Sequence, residues 1–464
     1  MVRKPASPVI PAASQPPEVA SGTPSATRPG ALLHRRLPEP PAGFRQGPLR
    51  EEAWRSPLRS ERTAALLGMS VGIAFAVCFV TGLISHLIQQ PPGWFLWPSR
   101  PVNLYRVTQG LHVITGFAAI PLLLAKLWTV YPKLFEWPPV RTVAHAVGRL
   151  SLLVLVGAAI FQLVTGVLNV ARWYTVMPFF FTTTHYWTAW VAIGAIVVHV
   201  GSKLAVIRLG LSRPVDDDAT VDATVDATVD AADDAAGPAA ESADTGTDTD
   251  TGTDTTTETG RPVREPAGAL SRRGFLTAVA VTSGVVALTT AGQTIPALSA
   301  ITVFGQRDPN LGPQGLPVNK SAVSAGVLET AVDPTYRLRL DGPRPQLLSL
   351  AALRGMPQYT VTLPITCVEG WSATAEWAGI RVADLLDLME LPEDGEVTVV
   401  SLQEGGLYSS SVLSTQHNRD PLTLLALRLN GENLHIDHGY PARLIAPNRP
   451  GVMQTKWVSR IEAI

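Results

Sequence analysis

Nine histidines and two cysteines carry most of this chain's capacity for metal chemistry, and they are unevenly placed. Five histidines (His86, His112, His145, His185 and His199) fall in or beside long apolar stretches. An imidazole in hydrocarbon is costly without a partner, and a metal cofactor is a good one. His185 and His199 are the informative pair. Fourteen residues at about 100° each return to within roughly 40° of one helix face, and at about 1.5 Å per residue they sit roughly 21 Å apart along it. Two ligands on one face, one per leaflet, fit two haems stacked across a bilayer, each needing a second axial histidine. By depth, His112 in the outer half pairs with His185, and His145 is the available partner for His199 in the inner half. His86 could ligate, meet a haem propionate or bind quinone; any one of the five also reads as a hydrogen-bonded interfacial histidine. Cys367 is the one cysteine outside these stretches. It follows an apolar run (361–365) and opens the turn-like Cys-Val-Glu369-Gly-Trp371-Ser. Such a thiol is either inert and buried or a soft ligand for a transition metal.

The elements that must hold these groups show in the composition. Of 464 residues, 46% are apolar and only 16% charged, and the mean hydropathy is +0.18. Those values point to a membrane. A net charge of −1 gives no support to nucleic-acid binding, and two cysteines exclude a disulfide scaffold or zinc ribbon. Residues 61–210 hold four apolar stretches, near 64–88, 104–130, 147–170 and 181–207, each long enough for a bilayer that takes about 20 helical residues. Aromatics such as Trp94, Trp128, Trp173 and Tyr186 flank them at headgroup depth. Residues 1–60, proline-rich with nine Lys/Arg against four acids, read as a disordered basic arm. Residues 211–268 read as a disordered acidic linker: Asp-Ala-Thr-Val repeats over 218–230, and 14 acids but no Lys or Arg stand between Arg213 and Arg261. A fifth apolar helix is expected over 269–300. Residues 301–464 then alternate β-rich runs (335–340, 359–365, 397–402, 442–446, 455–464) with turn residues and one amphipathic helix over 382–391, an α+β pattern.

Basic residues cluster before the first stretch (Arg55, Arg59, Arg62), between the second and third (Lys133, Arg141, Arg149) and after the fourth (Lys203, Arg208, Arg213). The other two loops carry only Arg100 and Arg172. The positive-inside rule therefore expects a cytoplasmic N-terminus and linker, and a fifth crossing led by Arg272 and Arg273 puts the C-terminal domain outside the plasma membrane.

Three segments resemble known families. The spacing of His185 and His199, with His112 on the second stretch, resembles the four-helix cytochrome b subunits of bacterial formate dehydrogenases, which implies one or two b-type haems. That family's inner partner near the start of the first helix has no counterpart between Arg55 and Ser85. Ser271-Arg272-Arg273-Gly274-Phe275-Leu276 is similar to a twin-arginine export signal, here internal. Pro-Ile-Thr-Cys367-Val-Glu369-Gly-Trp371-Ser, Glu-Trp377-Ala-Gly379, Asp-Pro421 through Asn430-Gly431, Asp437-His438-Gly439-Tyr440-Pro441-Ala-Arg443 and Lys456-Trp457 together resemble the molybdopterin-binding domain of the sulfite oxidase family. The resemblance implies that Cys367 is the single protein thiolate on molybdenum. It assigns pterin and phosphate to Asn319, His438, Arg443, Gln454, Thr455 and Lys456, with Lys320 and Arg449 as further candidates. Glu369 either shuttles a proton or positions substrate, or is a structural carboxylate. Val-Glu-Gly-Trp after the cysteine, where eukaryotic sulfite oxidases carry Asn-Arg-Arg, is closer to the bacterial methionine-sulfoxide-reductase type.

The expected architecture is thus multi-domain: an all-α transmembrane four-helix bundle with a fifth anchoring helix, then an α+β sulfite oxidase-type domain. The expected function is a membrane-bound molybdenum oxidoreductase. It would exchange electrons between an extracytoplasmic Mo-pterin site, where oxygen is transferred on a small S- or N-containing substrate, and the quinone pool through b-type haem. Reduction of an oxide by quinol is preferred to oxidation of a sulfur compound. Two other classes of reading stand beside it: a membrane-anchored binding protein without cofactor, and a cytochrome b electron carrier whose outer domain docks a partner.

Overall fold

The computed structural model describes residues 56, 58–135, 140, 142–212, 271–305 and 308–464. The acidic linker save Leu211 and Ser212, which end α4, and the basic arm save its last few residues, lie outside the described residues, as do Arg55, Arg141 and Arg213. Five helices among the described residues are long and apolar enough to cross a membrane: α1 (Glu61–Gln89), α2 (Leu104–Val130), α3 (Val143–Val170), α4 (Phe181–Ser212) and α5 (Arg272–Ala291). They bury little of themselves inside the protein and leave Ile73, Leu124, Leu153, Val197 and Val281 exposed. An outward apolar face of this kind is what a lipid-facing helix carries and a soluble core helix does not. Membrane association follows.

Hydroxyl caps start three of these helices, each accepting one of the backbone N–H groups a first turn leaves orphaned. Ser60 Oγ accepts from Thr63 N, Thr142 Oγ1 from His145 N, and Ser271 Oγ from Gly274 N, all at 3.1 Å. α1 packs on α2 and α4, α3 on α4, and α5 along α2. Small residues and Phe75, with Ala74, Ala119, Leu123 and Ala159, make the buried seam. At one end Arg59 lies over the rings of Trp128 and Tyr131, and Phe275 of α5 meets Trp128. The start of α5 therefore lies beside the start of α1 and the end of α2, and its own end lies at the opposite pole.

The fifth helix is shorter than the apolar run suggests, ending at Ala291 rather than near Ala300. The chain turns back sharply there: a Cβ on Gly292 would stand 2.2 Å from the Leu298 carbonyl oxygen. Pro296 then opens a 3₁₀ turn (Pro296–Ile301), a position where its missing N–H costs nothing.

The C-terminal domain follows, with short helices α6 (Ala322–Ala325), α7 (Leu328–Ala331), α8 (Leu350–Gly355), α9 (Val382–Leu388) and α10 (Thr415–Asn418). Its strands are β1 (Arg337–Asp341), β2 (Gln346–Ser349), β3 (Tyr359–Thr366), β4 (Ser372–Arg381), β5 (Val397–Ser401), β6 (Ser410–Leu413), β7 (Leu424–Leu429), β8 (Glu432–Asn433), β9 (Arg443–Ile445) and β10 (Val458–Ala463). One sheet runs β2-β1-β10-β5-β6, with β1 and β10 parallel; the other runs β3-β4-β7-β8, with β9 also on β7. Leu338, Val399 and Ile461 of the first sheet share one core with Ile380 and Leu425 of the second and Leu385 and Leu386 of α9. A second core, around Leu363, Trp377, Leu429 and Ile445, carries Cys367 and Trp371 at its edge. The expected runs near 335, 359, 397 and 442 became β1, β3, β5 and β9. The last began at Val458 rather than Thr455, because Gln454–Lys456 is diverted to the site.

Candidate active site

β3 delivers Cys367. The strand pairs with β4 in register Thr366↔Ser372, so residues 367–371 must close the hairpin. Cys367 N donates to the Trp371 carbonyl (2.9 Å) and Gly370 N to the Cys367 carbonyl (3.1 Å). The thiol is buried, and Asn319 Nδ2 donates to its Sγ at 2.8 Å. Burial pushes the thiol's pKa up, and the nearby Glu369 carboxylate adds to this. The Glu369 backbone N–H, the Asn319 amide and Arg172 act the other way. A thiolate at this place needs a cation. Among the described residues no cluster of three or more His, Cys, Asp or Glu could hold a metal.

The other residues of the motif gather at one end of the domain. His438 is buried, and its Nε2–H donates to the Pro313 carbonyl (2.7 Å). Burial, and then the charge of Arg443, pull its pKa down to about 4, so the ring is neutral. Arg443 Nη1 donates to the His438 carbonyl (3.2 Å), and the guanidinium lies 5.3 Å from the centre of the Trp377 ring. Burial lowers Arg443 to about 9 and Arg449 to about 10, and drives Lys456 well below its ordinary value, with Arg443 adding repulsion there. Lys456 Nζ donates to the carbonyls of Asp437 (2.6 Å) and Lys320 (2.9 Å). Thr455 Oγ1 pairs with Ser411 Oγ at 2.8 Å, and Gln454 Nε2 donates to the Arg449 carbonyl at 3.3 Å. Desolvated cations packed together favour an anion between them. The fit is sharpened by groups that are buried with no hydrogen-bond partner among the described residues: Arg443 Nε, Arg449 Nη1, Gln454 Oε1, Asn319 Oδ1, Trp371 Nε1 and His417 Nε2. Buried polar atoms are rarely left so, and a phosphate-bearing heterocycle offers acceptors and donors for them.

The domain is seated on the end of the helices far from Arg272. Asn448 joins both sides: its carbonyl accepts from Trp97 Nε1 (2.7 Å), its Oδ1 from Tyr105 N (2.6 Å), and its Nδ2 donates to Pro98 O (2.7 Å). Arg100 makes a two-pronged pair with Asp420 at 3.1 and 3.2 Å. Arg106 donates to the Thr294 carbonyl, and Thr294 Oγ1 to the Gly370 carbonyl at 2.6 Å. Gln109 Nε2 donates to the Val368 carbonyl at 2.7 Å. Gly370 has φ +101°, and a Cβ there would stand 2.8 Å from Val113, so only glycine lets the Cys367 hairpin lie this close to α2. From the α3–α4 loop, Arg172 Nε reaches Glu369 Oε1 at 3.3 Å.

Beneath that hairpin lies a cavity lined by His86, His112, Gln162 and His185 of the helices, and by Val368 and Tyr408 of the C-terminal domain. The His112 and His185 rings face one another with centres 6.4 Å apart. His112 Nδ1–H donates to the Cys78 carbonyl (2.9 Å), with Thr81 Oγ1 at 3.1 Å. His185 Nδ1 lies 3.0 Å from Thr165 Oγ1, whose own proton goes to the Phe161 carbonyl, so the hydroxyl accepts from Nδ1–H. Both rings therefore present an Nε2 lone pair. Gly82 and Gly166 leave room beside them: a Cβ would come within 3.0 Å of His112 and 4.0 Å of His185. His199 has Lys126 and Lys203 as charged neighbours, and His145 sits in the first turn of α3. His86 stacks on Tyr186 at 3.7 Å.

The sequence reading passed over Arg172, Asn448, Tyr174 and Tyr408. Tyr174 is raised to about 12 by burial and the neighbouring Glu369 and Cys367 charges, and Tyr408 is raised by burial and Cys367. A signal for Arg172 existed: with Arg100 it is one of two basic residues in loops that otherwise lack them, and both engage carboxylates of the C-terminal domain.

Residues 325–464 match the oxidoreductase molybdopterin binding domain family. Sulfite oxidase from Arabidopsis thaliana is 30% identical over 165 residues, covering 28% of this chain and 42% of that protein. The uncharacterized oxidoreductase YuiH from Bacillus subtilis (strain 168) is 29% identical over 119 residues, covering 25% of this chain and 59% of YuiH. The crystal structure of the sulfane dehydrogenase SoxCD from Paracoccus pantotrophus aligns over 29% of this chain and 40% of that one, at 25% identity and a TM-score of 0.26. The chain thus spans less than half the length of the Arabidopsis sulfite oxidase. The C-terminal domain is similar to the molybdopterin-binding oxidoreductase domain and to part of the sulfite oxidases, and those similarities support a molybdopterin-dependent oxidoreductase.

Proposed function

We propose that this chain is a five-pass plasma-membrane oxidoreductase whose extracytoplasmic molybdenum-pterin site exchanges electrons with the quinone pool through b-type haem. The observation that carries the reading is the seating of the Cys367 hairpin on α2. The Val368 carbonyl next to the thiol is bound to Gln109, one turn from His112, and Val368 itself lines the histidine cavity. A redox centre on Cys367 and one between His112 and His185 would be near neighbours.

Cys367 would bind the metal, with Asn319 holding its sulfur. Arg443, Arg449, Lys456 and Gln454 would hold the phosphate, and His438 the pterin. When bound, the cofactor supplies two-electron oxygen-atom exchange. Glu369 stands two residues from the metal ligand, where a carboxylate can position substrate or pass a proton. Its charge is answered by Arg172, so that guanidinium is committed to a protein carboxylate, which suits a neutral S- or N-oxide better than a dianion. Reduction of such an oxide by quinol is the favoured direction, and the methionine-sulfoxide-reductase type the favoured subgroup.

Support for haem comes from the outer histidine pair. A metal about 2 Å from Nε2 of each ring keeps the ring centres roughly 6 Å apart, close to the 6.4 Å present. Outward hydrogen bonds from both Nδ1 atoms orient the rings as they do for metal-ligating histidines. The outer pair supports one haem, and a second between His199 and His145 belongs to the same proposal. The topology is supported by the basic starts of α1 and α5 lying together at the pole opposite the C-terminal domain, as a twin-arginine-like segment on the cytoplasmic side requires.

Metal analysis of the purified full chain tests the reading. Mo near one per chain, with a b-type band after dithionite, and oxidation of that band by a sulfoxide or N-oxide, is expected. Iron without Mo would leave a cytochrome carrier, and neither metal a binding protein.

A further inference from the structure

We propose that Arg172, in the membrane domain, is a positioning residue of the molybdenum site, so that the site is complete only when the C-terminal domain is docked on the helices. The inference rests on the reading of Cys367 as the metal ligand and adds a residue that the domain's own motif does not contain.

Arg172 occupies a backbone position that seldom holds an arginine. α3 ends in a paired turn: Trp173 N donates to the Leu168 carbonyl (2.9 Å) and Arg172 N to the Asn169 carbonyl (3.0 Å). This is the arrangement in which the residue after the helix adopts a left-handed conformation, most often as glycine or asparagine. Arg172 takes it at φ +57°. The turn aims the side chain across the domain boundary. There Nη2 donates to the Asn319 carbonyl at 2.6 Å, while Nε lies 3.3 Å from Glu369 Oε1.

Those two partners flank the thiol from both sides. Asn319 donates its side-chain amide to Cys367 Sγ at 2.8 Å, and Glu369 lies two residues along the hairpin. One guanidinium thus ties the backbone of the residue that touches the sulfur to the carboxylate beside it. Asn319 lies on a strand-free stretch before the first sheet, between Pro313–Gly315 and α6, with no ladder bonds to fix it. An external brace there sets whether its amide meets the sulfur. The pair is only partly solvent-exposed on the arginine side and buried on the glutamate side, so it is less screened than a surface ion pair.

The test compares full-length chains carrying Arg172→Gln and Arg172→Lys. Two readouts are taken: the Mo(V) electron paramagnetic resonance spectrum of the loaded protein, and the rate of Cys367 alkylation by iodoacetamide in the full chain produced without molybdate, with mass spectrometry separating Cys367 from Cys78. Losing the guanidinium removes both the ion pair to Glu369 and the hydrogen bond to the Asn319 carbonyl, so the rate of Cys367 alkylation in Arg172→Gln should differ from wild type by about tenfold or more, in either direction. Arg172→Lys should stay near wild type. The Mo(V) signal should shift in Arg172→Gln at unchanged Mo content, and return toward wild type in Arg172→Lys. Wild-type alkylation and an unshifted spectrum in Arg172→Gln would overturn the proposal. Should Arg172→Gln fail to fold, Arg172→Asn, which suits the left-handed turn, decides it by the same two outcomes. If wild type carries no Mo, the proposed function falls, while the alkylation comparison still decides the role of Arg172.

Discussion

The two candidate cofactor sites of this chain are built on opposite principles. In the C-terminal pocket, cations and amides are buried at the edge of a close-packed two-sheet core, and several of their polar atoms find no partner among the described residues. In the helix cavity the two imidazoles have their Nδ1 sides satisfied by Cys78, Thr81 and Thr165, and glycines keep space open beside them. A charged, hydrogen-bonding ligand is selected by donors that only it can satisfy. A flat apolar one is selected by room, and by ring nitrogens aimed inward through bonds made outward. The Cys367 hairpin, pressed on α2 through Gly370 and Val113, is where the two designs meet.

The largest expected effect isolates the two sites. Cys367→Ser should abolish oxide reduction and Mo(V) signal while leaving the dithionite-reduced b-type band intact. Conversely, His112→Ala or His185→Ala should remove that band and leave Mo content unchanged. If either substitution emptied both sites, the comparison would be broken, because the sites would then be one cooperative structure.

Thr165→Val sharpens the comparison. It removes only the acceptor that orients His185, and such outer partners are typically worth about 10- to 100-fold in metal affinity. Haem titration of the variant should show a weakening in that range with unaltered Mo.

A smaller effect is expected from acid. Burial, then Arg449, lowers His417 to about 3, and burial, then Arg443, lowers His438 to about 4. Unfolded histidine titrates near 6.5. Between those values the unfolded chain binds more protons, so stability rises with pH, and it is lost as pH falls from about 6.5 toward 4. Melting of the C-terminal domain, followed by tryptophan fluorescence, should fall by several degrees across that window. His438→Gln should flatten the slope; an unchanged slope in that variant would remove His438 as its source.

Least should come from Arg100→Ala. Its pair with Asp420 is half exposed, and such pairs contribute about 0.2–1 kcal/mol. Arg100→Ala should therefore lower the melting temperature slightly and leave both cofactors in place. Loss of activity on that scale of change would show that domain docking, rather than the pockets themselves, governs the chemistry.

Much of this was legible because periodicity and motif order are local. Runs of about 20 apolar residues can satisfy their backbone in lipid only as helices, so α1 to α5 followed from composition, with α2 matching the expected stretch residue for residue. The Cys-Val-Glu-Gly-Trp hairpin followed from alternation ending at a turn. The pairing of His112 with His185 came from helical depth alone. The same reasoning pairs His199 with His145, although depth sets height in the membrane and not which helix faces point at one another. The end of α5 was misjudged: the run to Ala300 stays apolar, but Gly292 and Pro296 turn it back so that Thr294 can reach Gly370.

The sequence by itself determined the helices, the order of the segments, the thiol and most of the residues beside it, because each of these depends on neighbours in the chain. Only the tertiary structure decided that Arg172 stands beside Glu369, that Asn448 holds Trp97, and that Val368 roofs the histidine cavity. Those contacts join residues far apart in the chain, and beyond the isolated basic residue of the Arg172 loop nothing in either partner's local sequence names the other. What selects them is the docking of one surface on another, which exists only after both have folded.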